Sequence, residues 1–264
     1  IPPVKKFSIF AGKSAASYTL MKDLIRLICA ISRHVNNDPE VSQHLKCIFV
    51  PNYNVSLAEK LIPAADVSMQ ISTAGFEASG TSLFKFCLNG ALLVGTLDGA
   101  TIELKEEVGE AYFPFLFGAT KDEIFDKIHN RSYHPQQLVN ENHDIRWLIE
   151  TLRSDLLATY PEERESFGRI ANYLENQDPY FSLYDLAQYH KVQKEALSLY
   201  TDKDKWNHLT LMNIAGVGNF SSDRSIQDYC TNIWDIKPVP MDKKILEDMR
   251  AIFVANDKCT IDPN

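Results

Sequence analysis

Short apolar runs alternate with segments of helical character in the first half of the chain. The runs predict strands at residues 7–10, 47–50, 67–71, 91–95 and 113–118. The segments between them predict helices at residues 15–35, 56–62, beyond Gly80, between Asp98 and Val108, and at 121–129. Strands that alternate with helices are typical of βαβ units. The first half is therefore predicted to be α/β, a Rossmann-like parallel sheet with flanking helices.

The second half has a different pattern, in which helical segments follow one another directly. Helices are predicted around residues 142–158, 162–173, 181–200, 203–214 and 224–234. Pro179 and the stretch 216–218 interrupt them, and the residues beyond Pro238 are predicted to form a peripheral tail. We expect a Rossmann-like core at residues 1–130 and a mainly helical continuation of the same domain at residues 131–264.

Composition narrows the class of protein. With 45% apolar residues among 264, the chain is expected to be globular, and its net charge of −8 without a basic run argues against binding of nucleic acid. The five cysteines have no CxxC spacing and the seven histidines form no metal-binding pattern, so we expect neither a disulfide framework nor a metal site. The sequence shows no signal peptide and no membrane-spanning run, which predicts a cytoplasmic protein without membrane partners.

One segment combines an anion-binding turn with a lysine. Gly75 and Gly80 allow a tight turn, and Thr81 and Ser82 would lie in the first turn of the following helix. Free N–H groups and the positive end of the helix dipole would face a phosphate there. Lys85 follows Thr81 by four residues, so the two share a helix face. Pyridoxal phosphate meets both demands, through its phosphate group and through a Schiff base with the lysine.

The same residues also have an ordinary structural explanation. Gly-rich turns that open helices are common in α/β proteins, and a lone lysine on an apolar helix often reaches solvent without a ligand. A nucleoside-triphosphate site is not favoured, because Thr81 stands where the phosphate-binding loop motif requires lysine. Asp98 presents a similar choice: it is predicted to cap the helix that follows it, and the alternative is that it supports the cofactor end of the sheet.

This segment and its surroundings resemble the cofactor region of the α-glucan phosphorylases, the family of glycogen, starch and maltodextrin phosphorylases. The resemblance rests on residues 72–75, 77–82, 85–86, 88–91 and 95–100. It continues upstream at residues 12–16 and 49–59 and downstream at residues 218–224, so it covers nearly the whole chain. The fold that it implies is the C-terminal domain of a two-domain GT-B glycosyltransferase fold, in incomplete form.

The resemblance also implies an activity. Orthophosphate would attack the terminal α-1,4-linked glucose of a glucan and release glucose 1-phosphate with retained configuration. Pyridoxal 5′-phosphate is the implied cofactor, and the family uses its phosphate to transfer protons. The residues implied to bind the cofactor are Lys85, Thr81, Ser82, Tyr53, Asn54 and Val55.

The substrate contacts come from the turn itself. Glu77, Ser79 and Gly80 are implied to contact hydroxyl groups of the reacting sugar. Lys85 and Glu77 are therefore the implied catalytic residues. Family members are much longer than this chain, so we expect part of an enzyme that is inactive without the N-terminal domain of the same polypeptide. Its partners would be α-glucan and orthophosphate, and the full-length form would be a homodimer.

Three residues depart from the family pattern. Leu83 and Phe84 stand where Asn and Met are usual, and Phe76 replaces a smaller or more flexible residue. The departures at Leu83 and Phe84 make a non-catalytic glucan-binding or regulatory relative one alternative. A nucleotide-sugar glycosyltransferase of the same architecture, which would not need Lys85, is another.

Overall fold

The computed structural model describes residues 3–237, 239 and 242–257. This part of the chain contains four strands: β1 (Lys6–Ala11), β2 (Leu45–Val50), β3 (Val67–Gln70) and β4 (Leu92–Gly95). The first six helices are α1 (Thr19–Asn37), α2 (Val55–Leu61), α3 (Ser82–Leu88), α4 (Ala100–Val108), α5 (Lys121–His129) and α6 (Pro135–Glu141). The others are α7 (His143–Arg153), α8 (Pro161–Asn176), α9 (Ser182–Leu199), α10 (Lys203–Gly216), α11 (Ser222–Tyr229) and α12 (Lys243–Asp257). None of the described helices is long and apolar enough to cross a membrane.

The chain divides into two compact units, Ile1–Asn219 and Phe220–Asn264. The first unit holds the four strands and helices α1–α10. In the second unit, α11 continues into a π-helical turn at Cys230–Trp234, and α12 follows. The mixed α/β class with parallel strands is confirmed. A division of the chain near residue 130 stays a prediction.

The strands form two parallel pairs, β1 with β2 and β3 with β4. The pairing covers six residues in the first pair and four in the second, so that Gln70 at the end of β3 lies opposite Gly95 at the end of β4. The parallel orientation agrees with the prediction, but the single sheet does not, because within the described residues no strand ladder joins the two pairs. Apolar alternation shows which faces of a strand are buried and does not identify its neighbour, so the sequence could not reveal this division.

Helix α1 is fixed against β2 by side chains that reach the strand backbone. Ser32 Oγ and Asn36 Nδ2 both donate to the carbonyl of Cys47, at 2.6 and 2.7 Å. The Cys47 N–H in turn donates to Asn36 Oδ1 at 3.1 Å. Because Ser32 and Asn36 are four residues apart, they lie on one face of α1, which sets the position of the helix along the strand.

Two clusters of buried side chains connect the helical second half to the strand-bearing first half. In one, Leu27 and Ala30 of α1 pack with Val139, Ile145, Ile149, Leu152, Phe167, Ile170, Ala171 and Leu183. In the other, side chains of β4, of the segment after α4, and of α9 and α10 pack together: Leu92, Val94, Phe115, Phe117, Val192, Ala196 and Trp206. All four residues of β4 are buried, as expected for a parallel strand that is covered on both faces.

The strand predicted at residues 113–118 is wrong. The segment makes an isolated bridge between Leu116 and Gly95, with Gly95 N–H donating to the Phe115 carbonyl and Phe117 N–H to the Gly95 carbonyl. Phe113, Phe115 and Phe117 are all buried, which explains the strand-like alternation. Pro114 has no N–H to donate, so a longer ladder is not supported at this point.

The predicted helices are confirmed, with shifted ends. The first begins at Thr19 instead of residue 15, the helix predicted to reach residue 158 ends at Arg153, and α6 was not predicted. Helix α6 has only seven residues, too few to show a clear apolar period, and it begins at Pro135, a residue suited to the first turn of a helix. The predicted tail contains α12, while Pro238 and residues 258–264 lie outside the described residues.

An ion pair between a buried carboxylate and a half-exposed arginine joins α1 to α8. Asp23 is 4% exposed, and its two carboxylate oxygens accept hydrogen bonds from Nε and Nη2 of Arg169 at 2.8 and 2.9 Å. These hydrogen bonds hold the pKa of Asp23 below its ordinary value. Such a two-point contact fixes both the distance and the rotation of one helix relative to the other.

Replacement of Asp23 by Asn is expected to lower the free energy of unfolding by about 1–2 kcal/mol at neutral pH. Because Arg169 is half exposed, we expect a loss in the lower part of this range. The folded-state pKa of Asp23 lies below the unfolded value, so the stabilisation is complete above about pH 4. It is lost as the pH falls through the folded-state pKa. Urea unfolding of both forms at several pH values measures the difference.

Asp155 offers a matched control, because it pairs with Arg164 at 3.1 Å while both side chains are exposed. Replacement of Asp155 by Asn is expected to change stability by no more than about 0.5 kcal/mol. Equal losses in the two variants, or a loss for Asp23→Asn that persists in acid, would contradict the role given to the buried pair.

Candidate functional site

The candidate site lies where β3 and β4 end. Because these strands are parallel and Gln70 lies opposite Gly95, the turn after β3 and the segment after β4 leave the sheet at the same edge. The first connection, residues 71–81, carries the predicted sugar-contacting residues and leads into α3. The second, residues 96–99, leads into α4.

Asp98 connects the two segments. Its Oδ1 accepts a hydrogen bond from the N–H of Gly75 at 2.8 Å, and its Oδ2 accepts from the N–H groups of Phe76 at 3.2 Å and Glu77 at 2.7 Å. The residue is 5% exposed. The prediction that Asp98 caps the next helix is wrong, because Gly99 is the N-cap of α4 and the carboxylate faces the neighbouring turn.

Residues next to Asp98 in the chain also contact the turn. Thr96 Oγ1 donates to the Ser72 carbonyl at 2.7 Å, and the Ala100 N–H donates to the Ser79 carbonyl at 2.6 Å. Gly99 has φ +51°, and a Cβ there would lie 2.3 Å from the Ser79 carbonyl oxygen, so a side chain does not fit. The turn is thus fixed at both ends by the segment after β4.

The three predicted sugar-contacting residues lie together in this turn. Glu77 is half-buried, and its Oε2 accepts a hydrogen bond from Ser72 Oγ at 3.3 Å. Ser79 is exposed, and Gly80 has φ +88°. A carboxylate, a hydroxyl and accessible backbone therefore stand within four consecutive residues, which suits a ligand that carries several hydroxyl groups.

Helix α3 divides sharply into a buried and an exposed face. Leu83 and Cys87 are 1% and 0% exposed, and burial raises the pKa of the Cys87 thiol to about 12. Thr81, Ser82 and Lys85 are exposed. Thr81 is the N-cap residue, yet its side chain makes no capping hydrogen bond. Among the described residues, the ammonium of Lys85 has no hydrogen-bond or ion-pair partner.

Pyridoxal phosphate fits this face of α3 by the chemistry of its groups. An exposed lysine amine without a protein partner can form a covalent bond with an aldehyde. Four residues before it, a free hydroxyl and the start of a helix offer donors to a phosphate. These groups belong to Lys85, Thr81 and Ser82, the residues that the sequence indicated.

Tyr53 and Asn54 lie between β2 and α2, and Val55 is the first residue of α2. Asn54 caps α2, its Oδ1 accepting from the Leu57 N–H at 3.0 Å, and Val55 is 75% exposed. Among the described residues, the side-chain hydrogen bonds of Asn54 stay within its own segment. Within the described residues, no hydrogen bond joins these three residues to the exposed groups of Thr81, Ser82 and Lys85. Their part in cofactor binding therefore stays a prediction.

The departure at Phe76 has a packing explanation. Its ring lies 6.5 Å from that of Phe125 in a stacked arrangement and 6.2 Å from that of Tyr180 in an edge arrangement. Nearby, Thr73 Oγ1 donates to the Tyr180 carbonyl at 2.6 Å. The turn is thus also held by α5 and by the segment before α9.

The sequence did not indicate the roles of Thr96, Gly99 and Ala100. One signal was present, because an Asp-Gly pair directly after a buried strand often marks a tight turn. The partners themselves lie 20–24 residues away in the chain, so no local pattern could identify them. Within the described residues, no group of three or more His, Cys, Asp or Glu side chains is placed to hold a metal ion.

The chain matches known proteins over most of its length. A family model described as carbohydrate phosphorylase matches residues 2–236. A glycogen phosphorylase of Chlamydia trachomatis is 44% identical over 229 residues, 86% of this chain and 28% of the relative. The muscle form of glycogen phosphorylase of Homo sapiens is 43% identical over 235 residues, 89% of this chain and 27% of the relative. A glycogen phosphorylase of Synechocystis sp. is 42% identical over 251 residues, 95% and 29%.

The chain spans between 27% and 29% of the length of these relatives. Within that span the identity is above 40%, and the family model covers all but the first residue and the last segment of the chain. This chain therefore belongs to the carbohydrate phosphorylase family.

Proposed function

We propose that the protein containing this chain cleaves the terminal α-1,4-linked glucose of a glucan with orthophosphate and releases glucose 1-phosphate with retained configuration. The observation that carries the proposal is the exposed Lys85, whose ammonium has no partner among the described residues, with Thr81 and Ser82 one helical turn before it. The names of the relatives, which are glycogen phosphorylases, support the same activity. The chain would supply the cofactor-bearing side of the active site.

Lys85, Thr81 and Ser82 would hold pyridoxal 5′-phosphate. The amine of Lys85 would bind the cofactor covalently, while the Thr81 hydroxyl and the Ser82 N–H would donate to its phosphate. When bound, the cofactor would supply a phosphate that exchanges protons with the reacting groups. The segment Tyr53–Val55 would pack near it.

Glu77, Ser79 and Gly80 would orient the reacting glucose. The Glu77 carboxylate would accept hydrogen bonds from sugar hydroxyls, and the Ser79 and Gly80 backbone would donate to them. Because an oxocarbenium-like transition state reacts only when the ring is held in one orientation, these contacts would act mainly on the rate of the chemical step.

We further propose that the chain is part of the C-terminal domain of a GT-B fold. The groups that bind orthophosphate and the other wall of the cleft would come from an N-terminal domain of the same polypeptide. The chain alone would then be inactive, and the complete protein would be a cytoplasmic homodimer. The length of the relatives, of which this chain spans less than a third, supports such an arrangement.

Covalent attachment to Lys85 is open to direct measurement. After reduction of the complete protein with borohydride, peptide mass spectrometry is expected to find a pyridoxyl group on Lys85. Replacement of Lys85 by Arg is expected to abolish the label, because the guanidinium does not form a Schiff base with the aldehyde.

Lys121 provides the matched control, since it is exposed and its Cγ lies within contact distance of the Gly75 position in the same turn. Replacement of Lys121 by Arg is expected to leave the label unchanged. A pyridoxyl group on another lysine, or none at all, would refute the cofactor assignment and favour a nucleotide-sugar glycosyltransferase.

Activity tests the role of Glu77. The complete protein is expected to release glucose 1-phosphate from an α-1,4-glucan only when orthophosphate is present. Replacement of Glu77 by Gln is expected to lower kcat about 100-fold, because the neutral amide orients the sugar less well. Glu59→Gln, at an exposed position of α2, is the control and is expected to keep the wild-type rate.

One result would speak against this function, and another against the role of Glu77 in it. Cofactor loading without phosphate-dependent release would indicate a non-catalytic glucan-binding relative. A normal rate in Glu77→Gln would remove Glu77 from the proposed substrate contacts while leaving the reaction itself intact.

A further inference from the structure

The buried carboxylate of Asp98 has an unusual set of partners. It accepts three backbone N–H groups from consecutive residues of the neighbouring turn, Gly75, Phe76 and Glu77. Among the described residues, no Lys, Arg or His forms an ion pair with it. Burial of a carboxylate away from water raises the free energy of the folded state unless its oxygens are hydrogen-bonded. The three backbone N–H groups supply these hydrogen bonds to Asp98.

We propose that Asp98 is a positioning residue that sets the location of the Glu77 carboxylate. Asp98 contacts the Glu77 backbone and would not contact the sugar, so its effect passes through Glu77. The effect on reaction rate rests on the proposed function. The effect on the position of Glu77 does not.

The geometry explains why Glu77 depends on Asp98. The N–H of Phe76 is shared, because it also donates to the Thr73 carbonyl at 3.0 Å. The N–H groups of Gly75 and Glu77 donate to Asp98, at 2.8 and 2.7 Å, and to different oxygens of it. The two oxygens thus hold the turn at two points, one of them Glu77 itself.

Asp98 is itself held by its neighbours in the segment after β4 and in α4. Its carbonyl accepts a hydrogen bond from the Thr101 N–H at 3.1 Å, and its own N–H donates to the Thr96 carbonyl at 3.0 Å. The Ala100 N–H donates to the Ser79 carbonyl, and Gly99 lies so close to this carbonyl that a side chain would not fit. Asp98 therefore links Glu77 to β4, a fully buried strand. Glu77 is connected to β3 by the chain itself.

Asn at position 98 has nearly the same shape but a single acceptor oxygen. Its NH₂ group would face one of the two N–H donors, whichever way the amide is turned. Either Gly75 or Glu77 must lose its partner, and the turn must shift. Asp98→Asn consequently removes the two-point hold while it changes the volume of the side chain very little.

Two kinds of measurement on the complete protein test the proposal, structural and kinetic. The structural ones are a crystal structure and residue-resolved amide hydrogen exchange, in which the wild-type amides of Gly75 and Glu77 are expected to exchange slowly. In Asp98→Asn at least one of them is expected to exchange about tenfold faster, while Phe76 changes less because it keeps the Thr73 carbonyl. A crystal structure of the variant is expected to show Glu77 displaced from β4.

The kinetic measurement is a double-mutant cycle with Glu77→Gln. Asp98→Asn alone is expected to lower kcat about 100-fold with a smaller change in KM, since a displacement of about 1 Å can cost that much. In the Glu77→Gln background the same change is expected to cost less than about threefold, because residues that act through one another are not additive.

Glu163→Gln is the matched control. Glu163 is 4% exposed and accepts backbone N–H groups of Thr159 and Tyr160, but it lies at the start of α8 and also pairs with Arg33 at 2.5 Å. This variant is expected to retain the wild-type kcat and the slow exchange of Gly75 and Glu77. A general loss of stability would affect it and Asp98→Asn alike.

The outcomes separate this proposal from the proposed function. If the wild-type protein releases no glucose 1-phosphate, the function is wrong, and hydrogen exchange and the position of Glu77 still decide the role of Asp98. Rapid exchange of Gly75 and Glu77 in the wild-type protein would overturn that role, even if Asp98→Asn does not fold. So would an unmoved Glu77 in the variant, or rate losses that multiply in the double mutant.

Discussion

The candidate site depends on one buried carboxylate that binds three backbone N–H groups. Asp98 stands at the end of a strand whose residues are all buried, and its partners Gly75, Phe76 and Glu77 lie 21–23 residues before it. Burial of an unpaired charge is unfavourable, so the carboxylate is stable only when the turn presents its donors to it. The turn has positive φ at Gly75 and Gly80, and its hydrogen bonds to Asp98 fix its shape.

The second half of the chain packs against β4 and against the segment that follows α4. Val192 and Ala196 of α9 and Trp206 of α10 pack on β4, and Gly118 N–H and Ala119 N–H donate to Gln188 and Asp185 of α9. Asp185 is 8% exposed, and burial raises its pKa. The second half of the chain therefore covers the edge of the sheet where the turn attaches, and α3 buries Leu83 and Cys87 on the face away from its exposed groups.

Sequence patterns predicted what depends on local chemistry. Apolar spacing located the helices, and the glycines and hydroxyl residues around Lys85 located the turn and the exposed face of α3. Patterns failed where a long-range partner decides the outcome. Asp98 has the chemistry of an N-cap, yet buried N–H groups from a distant turn compete for it. Phe113–Phe117 has the alternation of a strand, yet it finds a single bridge to Gly95.

The unusual residues of the motif change packing more than they change the exposed groups. Leu83 is 1% exposed on the inner face of α3, and its Cδ2 lies 3.2 Å from where a Cβ of Gly80 would be. Phe76 fills the space between the turn and Phe125. Leu83 thus packs beneath the turn, and Phe76 joins the turn to α5 through Phe125. Since the outer face keeps its lysine and hydroxyl groups, a departure at Leu83 or Phe76 argues for altered support of the turn and not for a different ligand chemistry.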